Sequence, residues 1–359
     1  MRSFIATIIS IIVIITAISV SDTILKERSE AGIIQGSALY HQPEDTIDVA
    51  MIGSSHVHCG INTACLFNDY GITAYDYSSA EQPLWCSYYY IKEFCKNQNP
   101  KVIVLDFFTP AIYQDDYEDK YYFMDDTLYG MKFSMNKLRM MNVALDGNLE
   151  LIDKYFPAYF GYHDRYSQLK AEDVKEAFEF DYEAFKGYSP RFHNQSFQSP
   201  VLRLDEVKAP SDKSVEYLNK IIEYTGGKGI QLYITSIPYA INDGNEVMEN
   251  EEDLRYNWLE KYVLELQAKG VSHVYYDYTF KHPEDFGIDY EGGSDFSDGS
   301  SHLNYYGSTK YTKFLGQDLR RLYGEELLPD HRGDERYASY DRHVLFVKKQ
   351  VEDEGWEWR

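Results

Sequence analysis

A chain of 359 residues can bury a full core, and one α/β domain carrying an insertion fits that length as well as two domains do. Its apolar share of 44% is ordinary for a globular protein and sets disorder aside for most of the chain. With 35 basic against 58 acidic residues, the formal charge of −23 argues against a nucleic-acid partner, because phosphate binding needs concentrated Lys and Arg, and it fits poorly with a strongly acidic substrate.

The N-terminal segment differs from the rest. After Arg2 and Ser3, the run from Phe4 to Val20 carries no charge, and the first acidic residue is Asp22. An apolar run of about 18 residues suffices to span a bilayer as a helix. Arg2 on the short flank would stay in the cytoplasm, placing the remainder outside the cell. Residues 1–21 are therefore expected to form a transmembrane signal anchor. A cleaved signal peptide with Ala17-Ile18-Ser19 as a poor processing site is the rival. Either reading makes this an exported, extracytoplasmic protein. Residues 22–44 are polar and read as a linker.

From residue 45 the pattern becomes an alternation of strands and helices. Ile47–Ile52 is a short apolar run of the kind buried on both faces of a parallel sheet. A helix over about 57–69 follows, then a strand over 72–77, a helix over about 82–97 and a strand over 102–106, with Asn99-Pro100 as the turn. The alternation resumes with a helix capped by Ser211 and closed by Gly226-Gly227, then a strand over 230–235 ended by Pro238. A helix over about 250–268, a strand over 271–277 and a helix over about 308–322 complete it. Such repeated units imply a mostly parallel sheet of about five strands with helices on both faces.

Residues 110–205 break the alternation and are rich in Tyr, Phe and acidic side chains, with a helix expected over 137–144. They read as an insertion, either covering the carboxyl edge of the sheet or adding a packing layer. Residues 326–359 form a charged tail with one amphipathic stretch around 344–351. The four cysteines, Cys59, Cys65, Cys86 and Cys95, permit disulfides in an exported chain but match no zinc spacing. Cys86 and Cys95 share a helix too far apart to pair, and buried free thiols are the simpler expectation.

The first strand ends in Gly53-Ser54-Ser55-His56. A serine at a strand-to-helix turn presents its hydroxyl at the carboxyl edge, beside the amides of the following helix. A serine nucleophile needs a base. His302 lies in the loop that follows the last strand and opens on the same edge, and Asp298 or Asp295 just upstream would orient its imidazole. His56 and His58 suggest a metal, but at such a turn their side chains diverge and no third ligand is evident. Neither a metal nor a cofactor is expected.

The stretch Met51-Ile52-Gly53-Ser54-Ser55-His56, with Asp298 to Gly307 and especially His302-Leu303-Asn304, resembles the SGNH/GDSL hydrolases over about residues 45–325, excluding the insertion. More narrowly it is similar to their extracytoplasmic branch, which includes teichoic acid D-alanine transfer proteins and O-acetyltransferases of peptidoglycan and exopolysaccharide. The resemblance implies a three-layer α/β/α sandwich and a Ser55 acyl-enzyme with His302 as base and Asp298 as the orienting acid. It also implies an oxyanion hole from Ser55 and the block Tyr77-Ser78-Ser79, with Ser78 or Ser79 as donor. Asp298 stands four residues before His302, where the family has three. Asp106-Phe107-Phe108-Thr109 replaces the family's asparagine donor, leaving Thr109 as a further candidate. The implied activity is O-acylation, often acetylation, of a cell-surface polysaccharide, with a multi-spanning membrane O-acyltransferase as possible partner. A surface esterase or deacetylase is one alternative, and a non-catalytic tethered scaffold or glycan-binding protein is the other.

Overall fold

The computed structural model describes residues 2–25, 28–108, 123–155, 166–239, 241, 243–297 and 302–359. In chain order the described elements begin with α1 (Arg2–Leu25), α2 (Ile33–Leu39), β1 (Val49–Gly53), α3 (Ser55–Gly60) and α4 (Thr63–Tyr70). Next come β2 (Ala74–Ser78), α5 (Leu84–Asn97), β3 (Val102–Asp106), α6 (Met124–Tyr129), α7 (Met135–Ala144), α8 (Leu149–Asp153) and α9 (Ala171–Glu179). The remainder is α10 (Asp212–Lys228), β4 (Gln231–Thr235), α11 (Glu246–Glu249), α12 (Glu252–Ala268), β5 (Val274–Asp277), α13 (Tyr305–Leu327) and α14 (Ala338–Asp353).

The five strands form one parallel sheet in the order β2-β1-β3-β4-β5. Their alternation sorts side chains to two faces. Ala50, Ile52, Tyr75, Tyr77, Ile103 and Leu105 pack under α2, α5, α10 and α12. Val49, Met51, Ala74, Val102 and Val104 pack under α3, α4 and α13. The chain turns from β1 to one side of the sheet and returns to the other at β3. This makes the carboxyl ends of β1 and β3 the switch point, where such sheets open a crevice for ligands.

The strands lie within two or three residues of their expected bounds, and β3 matches them. The expected helix over 57–69 is two helices, because Asn62 interrupts it and its side chain accepts from Cys65 N–H to cap α4 at 3.1 Å. The α10 helix runs past Gly226 and Gly227 and closes at Gly229, whose φ of 71° suits a residue without Cβ. The four cysteines are free thiols.

Helix α1 is long and apolar enough to cross a membrane, with a mean hydropathy of 2.6 over Phe4–Leu25 and none of that window buried. The expected linker 22–44 is corrected. It carries α2, whose Ile33, Ile34, Ala38 and Leu39 are buried against the sheet's first face. Seven residues of helix in a polar setting leave too short a periodic signal to read. Within the insertion, α7 packs on α5 and adds a layer, while α6 reaches the carboxyl edge where Thr127 Oγ1 meets Ser79 Oγ at 2.7 Å.

The segment read as a charged tail folds back onto the domain. Helix α14 packs on α4 with Tyr340, Val347 and Val351 buried, and His343 Nε2 bonds Thr63 Oγ1 at 2.8 Å. Trp356 and Trp358 then pack against Tyr305 at the start of α13. Val347→Ala should therefore lower stability by about 1–3 kcal/mol, whereas Leu345→Ala, at a residue 66% exposed, should stay within about 0.5 kcal/mol. Urea denaturation of the two variants checks this, and equal effects would contradict the packing described.

Candidate active site

From Val49 to Gly60 every residue is buried except Ser55. The turn that lifts its hydroxyl out begins at Gly53, whose φ is 152° and whose missing Cβ would stand 2.4 Å from Asp106 Cβ. No other residue fits there. Ser54 caps α3 and is held by Asp106, which accepts from the Ser54 hydroxyl at 2.6 Å and from its N–H at 3.3 Å. Ser55 is the first residue of α3, so its N–H has no carbonyl within the helix to bond.

The loop after β5 brings His302 to the same place. Its stem is a short antiparallel bridge between Phe296 and Leu303, with Ser297 N–H on His302 O at 2.8 Å. Asn304 fixes the base of this stem. Its Nδ2 lies within 3.0 Å of His193 O, Asn194 Oδ1 and Ser294 O, and its Oδ1 caps α13 through Tyr306 and Gly307 N–H. Gly307 is required because a Cβ there would lie 2.1 Å from Asp295 O. Held this way, His302 Nε2 stands 2.8 Å from Ser55 Oγ across 247 residues of sequence. With the proton on Nδ1, Nε2 accepts from the serine hydroxyl.

The other expected residues divide. Asp298 and Thr109 lie outside the described residues. Asp295 is buried, and its Oδ2 accepts from Lys310 Nζ and Asp289 N–H, each at 2.7 Å. Ser78 and Ser79 are fully buried. Ser78 Oγ bonds His58 Nδ1 at 2.9 Å, so it is a donor only in the tautomer where His58 carries that proton. Ser79 N–H bonds Gly53 O at 3.2 Å, and its hydroxyl bonds Gln82 and Thr127. The Ser79 amide is thus engaged within the protein, whereas Ser55 N–H, in the first turn of α3, has no intrahelical carbonyl to bond.

His56 and His58 point apart as expected. His58 reaches Ser78, while His56 reaches His302 at the carboxyl edge, and among the described residues no group of three His, Cys, Asp or Glu could hold a metal. What the sequence did not suggest is the use of the His56 ring. It stacks on His302 with centroids 4.8 Å apart, on Phe108 at 4.5 Å, and meets Tyr239 edge-on at 5.3 Å. Burial first, then the nearby His302, hold His56 well below the usual histidine range, so it stacks as a neutral ring. Its Nδ1 lies 3.2 Å from Ser54 Oγ, the hydroxyl that Asp106 holds. Asp106, Ser54 and His56 thus form a buried support behind the Ser55–His302 pair. The only sequence signal for this was a strand-end aspartate opposite a Gly-Ser turn.

No protein-family model matches the chain, and no curated protein matches it.

Burial raises the Asp106 carboxyl from 3.8 to about 6, against the Ser54 hydrogen bonds that oppose the rise. Its contribution to stability is therefore full below about pH 4 and is lost as the pH climbs through about 6. Asp106→Asn cannot ionise. The stability difference between variant and wild type should shift in the variant's favour between about pH 4 and 7, by at most roughly 3 kcal/mol. Melting curves across that window check the sign, and a flat difference would place the ionisation elsewhere.

Proposed function

We propose that this protein is an extracytoplasmic serine acyl-transfer enzyme of the SGNH/GDSL kind, anchored by α1. One observation carries the reading: Ser55 Oγ and His302 Nε2 meet at 2.8 Å on the carboxyl edge of a parallel sheet, at its switch point. The exposure of Ser55 within a buried stretch supports it.

In this reading Ser55 Oγ attacks the carbonyl carbon of an acyl ester while its proton passes to His302 Nε2. The carbonyl oxygen takes the electron pair and faces Ser55 N–H. The tetrahedral adduct collapses, the ester oxygen leaves with the proton from His302, and the acyl group stays on Ser55. A glycan hydroxyl then gives its proton to His302 and attacks the acyl carbon; the second adduct collapses as the bond to Ser55 Oγ breaks, Ser55 regains its proton from His302, and an O-acyl sugar leaves. Asp298 is the proposed carboxylate partner of His302, as the resemblance implies; Asp295, whose Oδ2 is engaged by Lys310 and an amide while its Oδ1 is buried without a partner, is the alternative. Water in place of the glycan turns the same steps into an esterase or deacetylase.

The full-length chain in detergent should be labelled at Ser55 by a fluorophosphonate. Ser55→Ala should abolish labelling, and His302→Ala should slow it by about 1,000-fold or more. Acylated glycan from an acyl ester donor supports transfer, and free acid alone supports hydrolysis. A second reading, a non-catalytic glycan-binding scaffold, is favoured by the engagement of the Ser79 amide with Gly53. It requires that Ser55 resist labelling and that Ser55→Ala leave glycan acylation in cells unchanged.

A further inference from the structure

Helix α9 lies against α1, and the two are tied just beyond their ends. Arg28, three residues after α1 ends, donates through Nε to Tyr182 Oη at 3.2 Å and through Nη2 to Thr23 O at 2.8 Å. Tyr182 in turn follows α9 by three residues. The insertion therefore places α9 where the apolar helix joins the folded domain.

The sequence of α9 is two-sided. Ala171, Val174, Ala177 and Phe178 share one arc at helical spacing, and Glu172, Lys175 and Glu179 lie on the other. The apolar arc is only partly covered. Ala177 is buried, whereas Val174 is 40% and Phe178 62% exposed. Tyr166, just upstream, is 70% exposed. Such a face beside an apolar helix that is itself uncovered forms one continuous apolar surface.

We propose that α9 rests on the bilayer surface, with Val174 and Phe178 in the boundary between headgroups and acyl chains. Continuity with α1 selects lipid as the occupant. Interfacial helices turn a charged face outward and Phe or Leu inward; α9 has that two-sidedness, though its charged face is acidic where the usual one is basic. Two contacts fix the orientation of the domain, where one spanning helix alone would leave it free to swivel. The acidic residues of α9 and the net charge of −23 favour zwitterionic over anionic lipid. The inference rests on α1 spanning the membrane and is independent of the chemistry at Ser55.

The test uses the full chain in phosphatidylcholine vesicles, with a nitroxide on Phe178→Cys or, separately, on Lys220→Cys, both in a Cys95→Ser background. Lys220 lies on α10 and serves as the reference, its side chain half-exposed and so less open to water than Phe178 is in the free domain. Flotation first reports whether the chain is anchored. The nitroxide at 178 should then be shielded from an aqueous nickel chelate by about five-fold relative to 220, and the shielding should persist at one chain per vesicle. Equal accessibility at the two positions overturns the proposal. So does shielding that disappears on dilution, which would mean a second copy covers α9. A chain that fails to float overturns the spanning reading of α1 and the proposal with it, a result distinct from an anchored chain with an exposed α9.

Discussion

The carboxylate of Asp106 holds the turn on which the site depends. By accepting from both the hydroxyl and the amide of Ser54, it fixes the chain at the point where β1 becomes α3. Gly53 lets the two backbones approach closely enough for those bonds, and Ser55 then has one direction in which to project. The raised pKa of Asp106 is the cost of placing an acid among apolar strands, and its hydrogen bonds to Ser54 offset part of it. The same Ser54 oxygen steadies His56, whose neutral ring lies against His302. One buried acid thereby bears on the positions of both Ser55 and His302.

The central layer was legible in the sequence because parallel strands buried on both faces leave short, unbroken apolar runs between turn residues. The pairing of Ser55 with His302 was legible for a related reason: loops that follow parallel strands open on one edge, whatever their separation along the chain. Asn62 shows the limit. It sits in an apolar stretch that looks like one helix, and its capping role depends on a break that periodicity does not reveal. The Asp106–Ser54–His56 support was illegible as a unit. Two histidines separated by one residue suggest a metal in sequence; their divergence follows from the turn, whereas the stacking of one on His302 arises only from tertiary packing.

The outer parts were read less well, and for one reason. Segments called linker and tail by their charge each carry a few well-spaced apolar residues that the average conceals. Ile33, Ile34, Ala38 and Leu39 close one face of the sheet, and Tyr340, Val347 and Val351 close the helix layer on the other. Charge along a segment reports its solvent side and says little about its inner side. Nothing in the composition of 326–359 pointed to the hydrogen bond between His343 and Thr63, the residue next to the Asn62 cap of α4.

The chain between α1 and α2 is part of the wall beside the site. Ala80 N–H bonds Ala31 O at 2.7 Å, Ser29 Oγ bonds Asp126, and Gly32 stands so near Ser79 that a Cβ would fall 2.6 Å from it. Ala80 follows directly on the serines next to Gly53. A soluble version of this protein therefore has a narrow permissible start. Cutting after Leu25 removes the apolar helix and leaves the wall intact, whereas cutting at residue 33 strips a buried amide of its acceptor beside the candidate site. A change at the Ser55–His302 pair in such a shortened protein would then reflect the lost piece of wall and not the lost apolar helix.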